Sequence, residues 1–118
     1  MESAPGKKLT IFLSEDNVYK HRPLYEAVLN ELSKAGIRQV AATRGIAGYG
    51  RDTVIHTSNI EVLSTNLPVV VEAVDVEAKI GVVLSAICEI ADEALIEVMP
   101  TQLIEARGTI SDEEGGTA

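Results

Sequence analysis

A stretch of strand-like alternation followed by one of helical spacing occurs twice along this chain, and that repeated order limits the fold more than any other feature. In KKLTIFLS, Leu9, Ile11 and Leu13 fall on one side and Thr10, Phe12 and Ser14 on the other, the period of two that marks a strand. From Pro23 to Ala35, the residues Leu24, Val28, Leu32 and Ala35 recur at helical spacing. Pro23 suits the first helical position and Gly36 the stop. IRQVAATRGI is a short β-branched run that reads as a second strand. LPVVVEAVDV reads as a third, with Pro68 at its entry, where a missing N–H is tolerated. From Val76 to Ala91, Ile80, Val83, Leu84, Ile87 and Ala91 mark one helical face, and ALIEVMPTQLIEA closes the chain as a fourth strand. Pro100 makes that strand an edge strand or breaks it in two.

The order β-α-β-β-α-β is that of a split βαβ, ferredoxin-like unit of the α+β class. It implies a four-stranded antiparallel sheet with two helices on one face. The opposite face then carries Phe12, Val70 and Val74 with no helix to cover them, which favours self-association. One domain is expected over residues 7–107. An acidic, Gly-rich tail, residues 108–118, is expected to be disordered.

With 118 residues the chain can bury a single core. Aromatic residues are 3% of it and hydrophobic residues 46%, so that core is aliphatic. A formal net charge of −8 excludes generic phosphate-backbone binding, which needs surplus Lys and Arg, so no nucleic-acid partner is expected. Cys88 is the single cysteine, placed by periodicity near the core face of the second helix, and no intrachain disulfide can form. MESAPGKK lacks the apolar run of a secretory leader, and no segment is long and apolar enough to span a membrane. The expectation is a cytoplasmic protein.

The connection between the second and third strands, Ala47 to Asn66, is several times longer than an ordinary hairpin loop. Its entry, TRGIAGYGRDTVIHT, concentrates Gly45, Gly48 and Gly50 between Arg44 and Arg51. The spacing matches neither a dinucleotide fingerprint nor a Walker A loop. Glycines there offer backbone free to take positive φ and to approach a ligand closely, with N–H groups available to an anion. The plainer alternative is that they shape a turn and the arginines are solvated.

A second cationic group, Lys20, His21 and Arg22, precedes the first helix, where the helix dipole disfavours cations. Arg22 at the N-cap would leave amide donors uncapped, which together with the cations suits an anion. Alternatively, Asp16 or Asn17 folds back as a cap. His21 and His56 are weak candidate metal ligands, with no cysteine or carboxylate at ligand spacing. Catalytic signatures are missing: there is no nucleophile elbow and no implied Cys–His pair. Glu72 and Asp75 on the third strand are possible bases. A non-enzymatic role is the expectation, with no catalytic residue and no tightly bound cofactor.

PLYEAVLNEL, TRGIAGYG, IHTSNIEVLSTNLPVVVEAVD and ALIEVMP together resemble the branch of PII-like signalling proteins long catalogued as a domain of unknown function, over nearly everything from Leu9 to Ala106. The resemblance implies a homotrimer with the sheets facing inward and a T-loop-like switch over residues 47–66. It also implies an adenine-nucleotide effector in clefts between subunits, and a protein partner, such as a membrane transporter, that reads the loop. By position Arg44, Gly45, Gly48, Gly50 and Arg51 would be the loop-base residues, joined by Lys20 and Arg22 from the anion argument. The glycine- and lysine-rich phosphate loop of PII proteins is replaced here by IADEAL, whose Asp92 and Glu93 would repel a triphosphate. A mono- or diphosphate, a cyclic nucleotide or another anion fits that change at least as well. The alternative from another class is a trimeric divalent-metal-binding or metal-tolerance protein using His21 or His56.

Overall fold

The structure, a computed structural model, describes residues 1–52, 54–57 and 66–110. In chain order it has β1 (Glu2–Ser14), β2 (Val18–Tyr19), β3 (Arg22–Pro23), α1 (Leu24–Lys34), β4 (Gln39–Arg44), β5 (Ala47–Gly48), β6 (His56–Thr57), β7 (Pro68–Val76), α2 (Glu77–Ile90) and β8 (Leu95–Glu105). The four long strands form one sheet in the order β4-β7-β1-β8, with antiparallel neighbours throughout. This is the ferredoxin-like α+β fold, its two helices packed on one face of the sheet.

Register decides the core. Leu9 lies opposite Ala73, Ile11 opposite Val71 and Leu13 opposite Val69, and all six are buried. A period of two sends these residues to the same side, where Val28 and Leu32 of α1 and Ile80, Val83 and Ile87 of α2 meet them. The other face carries Phe12 between Val70 and Leu95, then Thr10 between Glu72 and Glu97, then Lys8 between Val74 and Met99. Phe12 is 42% exposed and Leu95 72%. Lys8 donates to Glu72 at 2.9 Å, and that carboxylate pushes the lysine pKa above its ordinary value.

α1 ends as its sequence requires. Gly36 takes a left-handed φ of 66°, its N–H donating to Ser33 O and that of Ile37 to Leu32 O. This is a Schellman closure in which a side chain at position 36 would be strained.

Several local expectations are corrected. β1 begins at Glu2 rather than Lys7, because the segment before Lys7 has its own partner in the far end of β8: Glu2 lies opposite Glu105. Where β1 passes Asp75, a Cβ on Gly6 would lie 2.7 Å from the Asp75 carbonyl oxygen, so only glycine fits. Of the two alternatives for Pro100 the edge strand holds, and β8 runs unbroken. Pro23, not Arg22, is the N-cap of α1, and no side chain caps it. Instead the Leu24 N–H donates to the backbone oxygen of Asn17 at 2.8 Å. The cationic triplet is drawn into a tight β2–β3 hairpin, with Lys20 and His21 at φ 50° and 66°. Positive φ at both tip residues is what a type I′ two-residue hairpin turn requires. Cys88 is exposed on α2, not near the core. Its helical neighbour Ile87 takes the inward position instead.

Asp75 is no free base. It is completely buried, and its carboxylate accepts the N–H of Arg38 and the N–H of Val76, each at 2.7 Å. Lys79 Nζ lies 3.3 Å away and Arg38 Nε 3.7 Å. Lys79 also donates to Gly36 O at 2.6 Å, and Arg38 reaches Glu105 at 3.4 Å. The network joins the end of α1, the start of α2 and the last strand through one carboxylate.

Candidate functional site at the base of the long connection

The end of β1, the end of β4 and the start of β7 lie together at one end of the sheet, where the long connection leaves and returns. Glu15, just past β1, donates its N–H to Leu67 O at 2.9 Å. Gly45, just past β4, donates to Pro68 O at 2.7 Å. These backbone bonds hold Arg44 beside Glu15, whose Oε2 lies 2.8 Å from Arg44 Nε. The Arg44 side chain is still 59% exposed and the Glu15 side chain 23%. Arg44, Gly45, Ile46 and Leu67 line a recess of about 250 Å3 at this point.

The glycines act differently from the expectation. Left-handed φ is confined, among the described glycines, to Gly36 and Gly108. Gly45 and Gly48 are glycine because the Pro68 ring lies against both: an added Cβ would sit 2.8 Å and 3.0 Å from Pro68 Cγ. An added Cβ on Gly50 meets no described atom within 4 Å. Gly45→Ala is therefore expected to cost about 1–3 kcal/mol of stability through overpacking, and Gly50→Ala to stay within about 0.5 kcal/mol. Urea unfolding of the two variants checks this, and equal losses would remove the packing explanation.

Beyond Gly48 the connection forms a short pairing of β5 with β6, Gly48 opposite His56. Arg51 is exposed in the intervening turn. Asp52 accepts the Val54 N–H at 3.1 Å and lies 3.5 Å from His56 Nε2. Both contacts hold its carboxyl below the usual carboxylate range, the Val54 bond contributing most. Ile46, Tyr49, Val54 and Ile55 are exposed apolar residues of the same segment. Residues 53 and 58–65 of the expected switch over 47–66 lie outside the described residues, as do 111–118 of the expected tail.

Lys20 and Arg22 are not brought to this recess. They line a separate one of about 200 Å3 between the β2–β3 hairpin and α1, with Glu26, Glu31 and Lys34. Lys20 Nζ stands 5.3 Å over the Tyr19 ring. His21 is at the hairpin tip and His56 in β6, and among the described residues no three His, Cys, Asp or Glu side chains gather as a metal group would need. Asp92 and Glu93 occupy an exposed turn after α2, closed by the Ala94 N–H on Ala91 O. Glu15 is the residue that sequence reasoning missed. Its sign would have been a carboxylate at a strand end, which many surface loops share.

A family model described as DUF190, Uncharacterized ACR, matches residues 6–103. The chain belongs to DUF190. A UPF0166 protein of Aquifex aeolicus is 38% identical over 80 residues, 68% of this chain and 76% of that one. Another, from Methanocaldococcus jannaschii, is 36% identical over 85 residues, covering 72% and 78%. The DUF190 fold is that of PII-like proteins. CPII, a nitrogen regulatory PII-like protein of Thiomonas intermedia solved with ADP, AMP and bicarbonate, superposes with a TM-score of 0.65 at 17% identity, covering 86% of this chain and 91% of its own. A PII-like signalling protein of Thermus thermophilus gives 0.60 at 16%, covering 88% and 94%. At such identities the likeness concerns the fold. Among the described residues of this DUF190 chain, no helix is long and apolar enough to cross a membrane.

Proposed function

We propose that this chain is a PII-like regulatory protein rather than an enzyme. In this reading it binds a small anionic effector, an adenine mono- or diphosphate, at the base of the long connection. The observation that carries the proposal is the half-exposed Arg44 side chain, held by Glu15 at 2.8 Å beside a recess that Gly45, Ile46 and Leu67 also line. An anchored but solvent-facing cation beside close-approach backbone is what a phosphate group needs. Support comes from CPII, solved with ADP and AMP on the same fold.

The recess of about 250 Å3 in one protomer is smaller than the roughly 300–1,000 Å3 of small-molecule sites. A neighbouring subunit would complete it. We therefore place the site between the subunits of a homotrimer whose sheets face inward, with Phe12, Val70 and Leu95 as the contact face. Arg51 belongs to this site directly, and Lys20 and Arg22 would approach from a neighbour. The segment 47–66 is then the switch: ligand shifts its order only by binding one loop state better than the other. A protein partner, such as a membrane transporter, reads Ile46, Tyr49, Val54 and Ile55.

Thermal unfolding and calorimetry with AMP, ADP, cyclic AMP, sulfate, bicarbonate and divalent metals test the proposal, since a ligand that prefers the folded state raises its melting temperature. A saturable shift with an adenine nucleotide is expected. Arg44→Ala should weaken it by about 10- to 100-fold, the range for a charge-assisted contact, and Arg51→Ala should weaken it less. Unchanged affinity in both variants would eliminate this site. A shift with metals alone would instead favour the metal-binding alternative through His21 or His56.

A further inference from the structure

The recess between the β2–β3 hairpin and α1 holds charges of both signs that do not meet. Glu31 and Lys34 pair with each other there at 3.6 Å. Among the described residues, Lys20, Arg22 and Glu26 have no partner of opposite charge within 4.0 Å. Positive φ at Lys20 and His21 turns the chain back into α1, so that the hairpin cations and Glu26 of the first helical turn line one recess. Glu26 is half-buried. Tyr19, Ala27 and Ile90, half-buried against the core, give the recess an apolar lining. At about 200 Å3 it falls below the roughly 300–1,000 Å3 of sites for drug-sized molecules, which sets the ligand at a few non-hydrogen atoms.

Unpaired cations and an unpaired carboxylate in one small recess select a ligand that is itself doubly charged. A plain anion would gain from Lys20 and Arg22 but meet Glu26 and Glu31. A plain cation would gain from the glutamates but meet Lys20, Arg22 and Lys34. A zwitterion gains from both sets, and each one-charge analogue leaves one set unpaired. We infer that this recess binds a free α-amino acid with an aliphatic side chain. Lys20 and Arg22 take its carboxylate, Glu26 takes its ammonium, and Tyr19, Ala27 and Ile90 take its side chain. The site is separate from the loop base, where Arg44 is the anchor, and does not rest on nucleotide binding. Because Lys20 and Arg22 also approach a neighbour's loop base in the reading above, an amino acid that holds them here would weaken nucleotide binding there.

The test is calorimetry of wild type, Glu26→Gln and Arg22→Gln with leucine, its deaminated analogue 4-methylpentanoate, its decarboxylated analogue 3-methylbutylamine, and AMP, with melting temperature confirming the fold. Wild type should bind leucine saturably and each one-charge analogue at least about tenfold more weakly. Glu26→Gln should bind leucine about 10- to 100-fold more weakly, yet bind 4-methylpentanoate at least as well as wild type does, since the opposing charge is gone. Arg22→Gln should lose both acids. Wild type that binds no leucine, or binds 4-methylpentanoate as tightly as leucine, overturns the inference. So does leucine affinity that is unchanged in both variants. Leucine binding with these losses but without any AMP binding upholds the inference and removes the nucleotide reading alone.

Discussion

Asp75→Ala is expected to destabilise the protein by about 3–5 kcal/mol, the cost of removing one partner from a buried ion pair. The carboxylate has no contact with solvent and serves two N–H groups and two cations at once. Its removal leaves the Arg38 and Val76 N–H groups without their acceptor. It also leaves Lys79, whose side chain is only 11% exposed, without its counter-charge. Since small domains carry about 5–15 kcal/mol in total, the loss is a large share of what holds the fold. Thermal unfolding should show a melting temperature lower by on the order of 10–20 °C. Asp75→Asn retains an acceptor but not the charge, and should fall between wild type and alanine. A loss under about 1 kcal/mol for alanine would mean that the network is not what joins α1, α2 and β8.

The second large effect concerns assembly. If the open sheet face is the centre of the proposed trimer, Phe12→Asp should convert it to monomers. With Phe12 42% exposed in the protomer, burying the remainder contributes on the order of 1 kcal/mol per copy. Placing an unpaired carboxylate in its stead costs more than that, so three copies forfeit several kcal/mol. Phe12 points away from the helices and is 42% exposed, so the protomer should keep its helices and sheet. Sedimentation velocity and far-UV circular dichroism make the measurement. A folded Phe12→Asp protein that remains trimeric would show that the copies meet elsewhere, and a wild-type monomer would remove the trimer altogether.

The sheet face opposite the helices was legible residue by residue, because a strand's period of two reports facing directly. The alternation of Leu9, Ile11 and Leu13 against Thr10, Phe12 and Ser14 names both surfaces. The loop base was legible only in part. Arg44 and the glycines stand out as a cluster, but the reason for the glycines did not: they accommodate Pro68, which is distant in sequence and packs there only after β4 and β7 pair. Lys20, His21 and Arg22 read as a helix N-terminus, since a two-residue hairpin tip without glycine or asparagine carries little local signal.

The sequence by itself determined the order of the four long strands and two helices, the aliphatic core and the stop of α1 at Gly36. Each of these follows from neighbours along the chain, through periodicity and turn chemistry. Only the tertiary structure decided that Asp75 is a buried tie rather than a base, that Gly6 must pass the Asp75 carbonyl, and that Glu15 stands against Arg44 with one oxygen unpaired. Those are contacts between residues far apart in sequence. Their energies depend on burial and on distances of a few ångströms, which exist only once the sheet has closed.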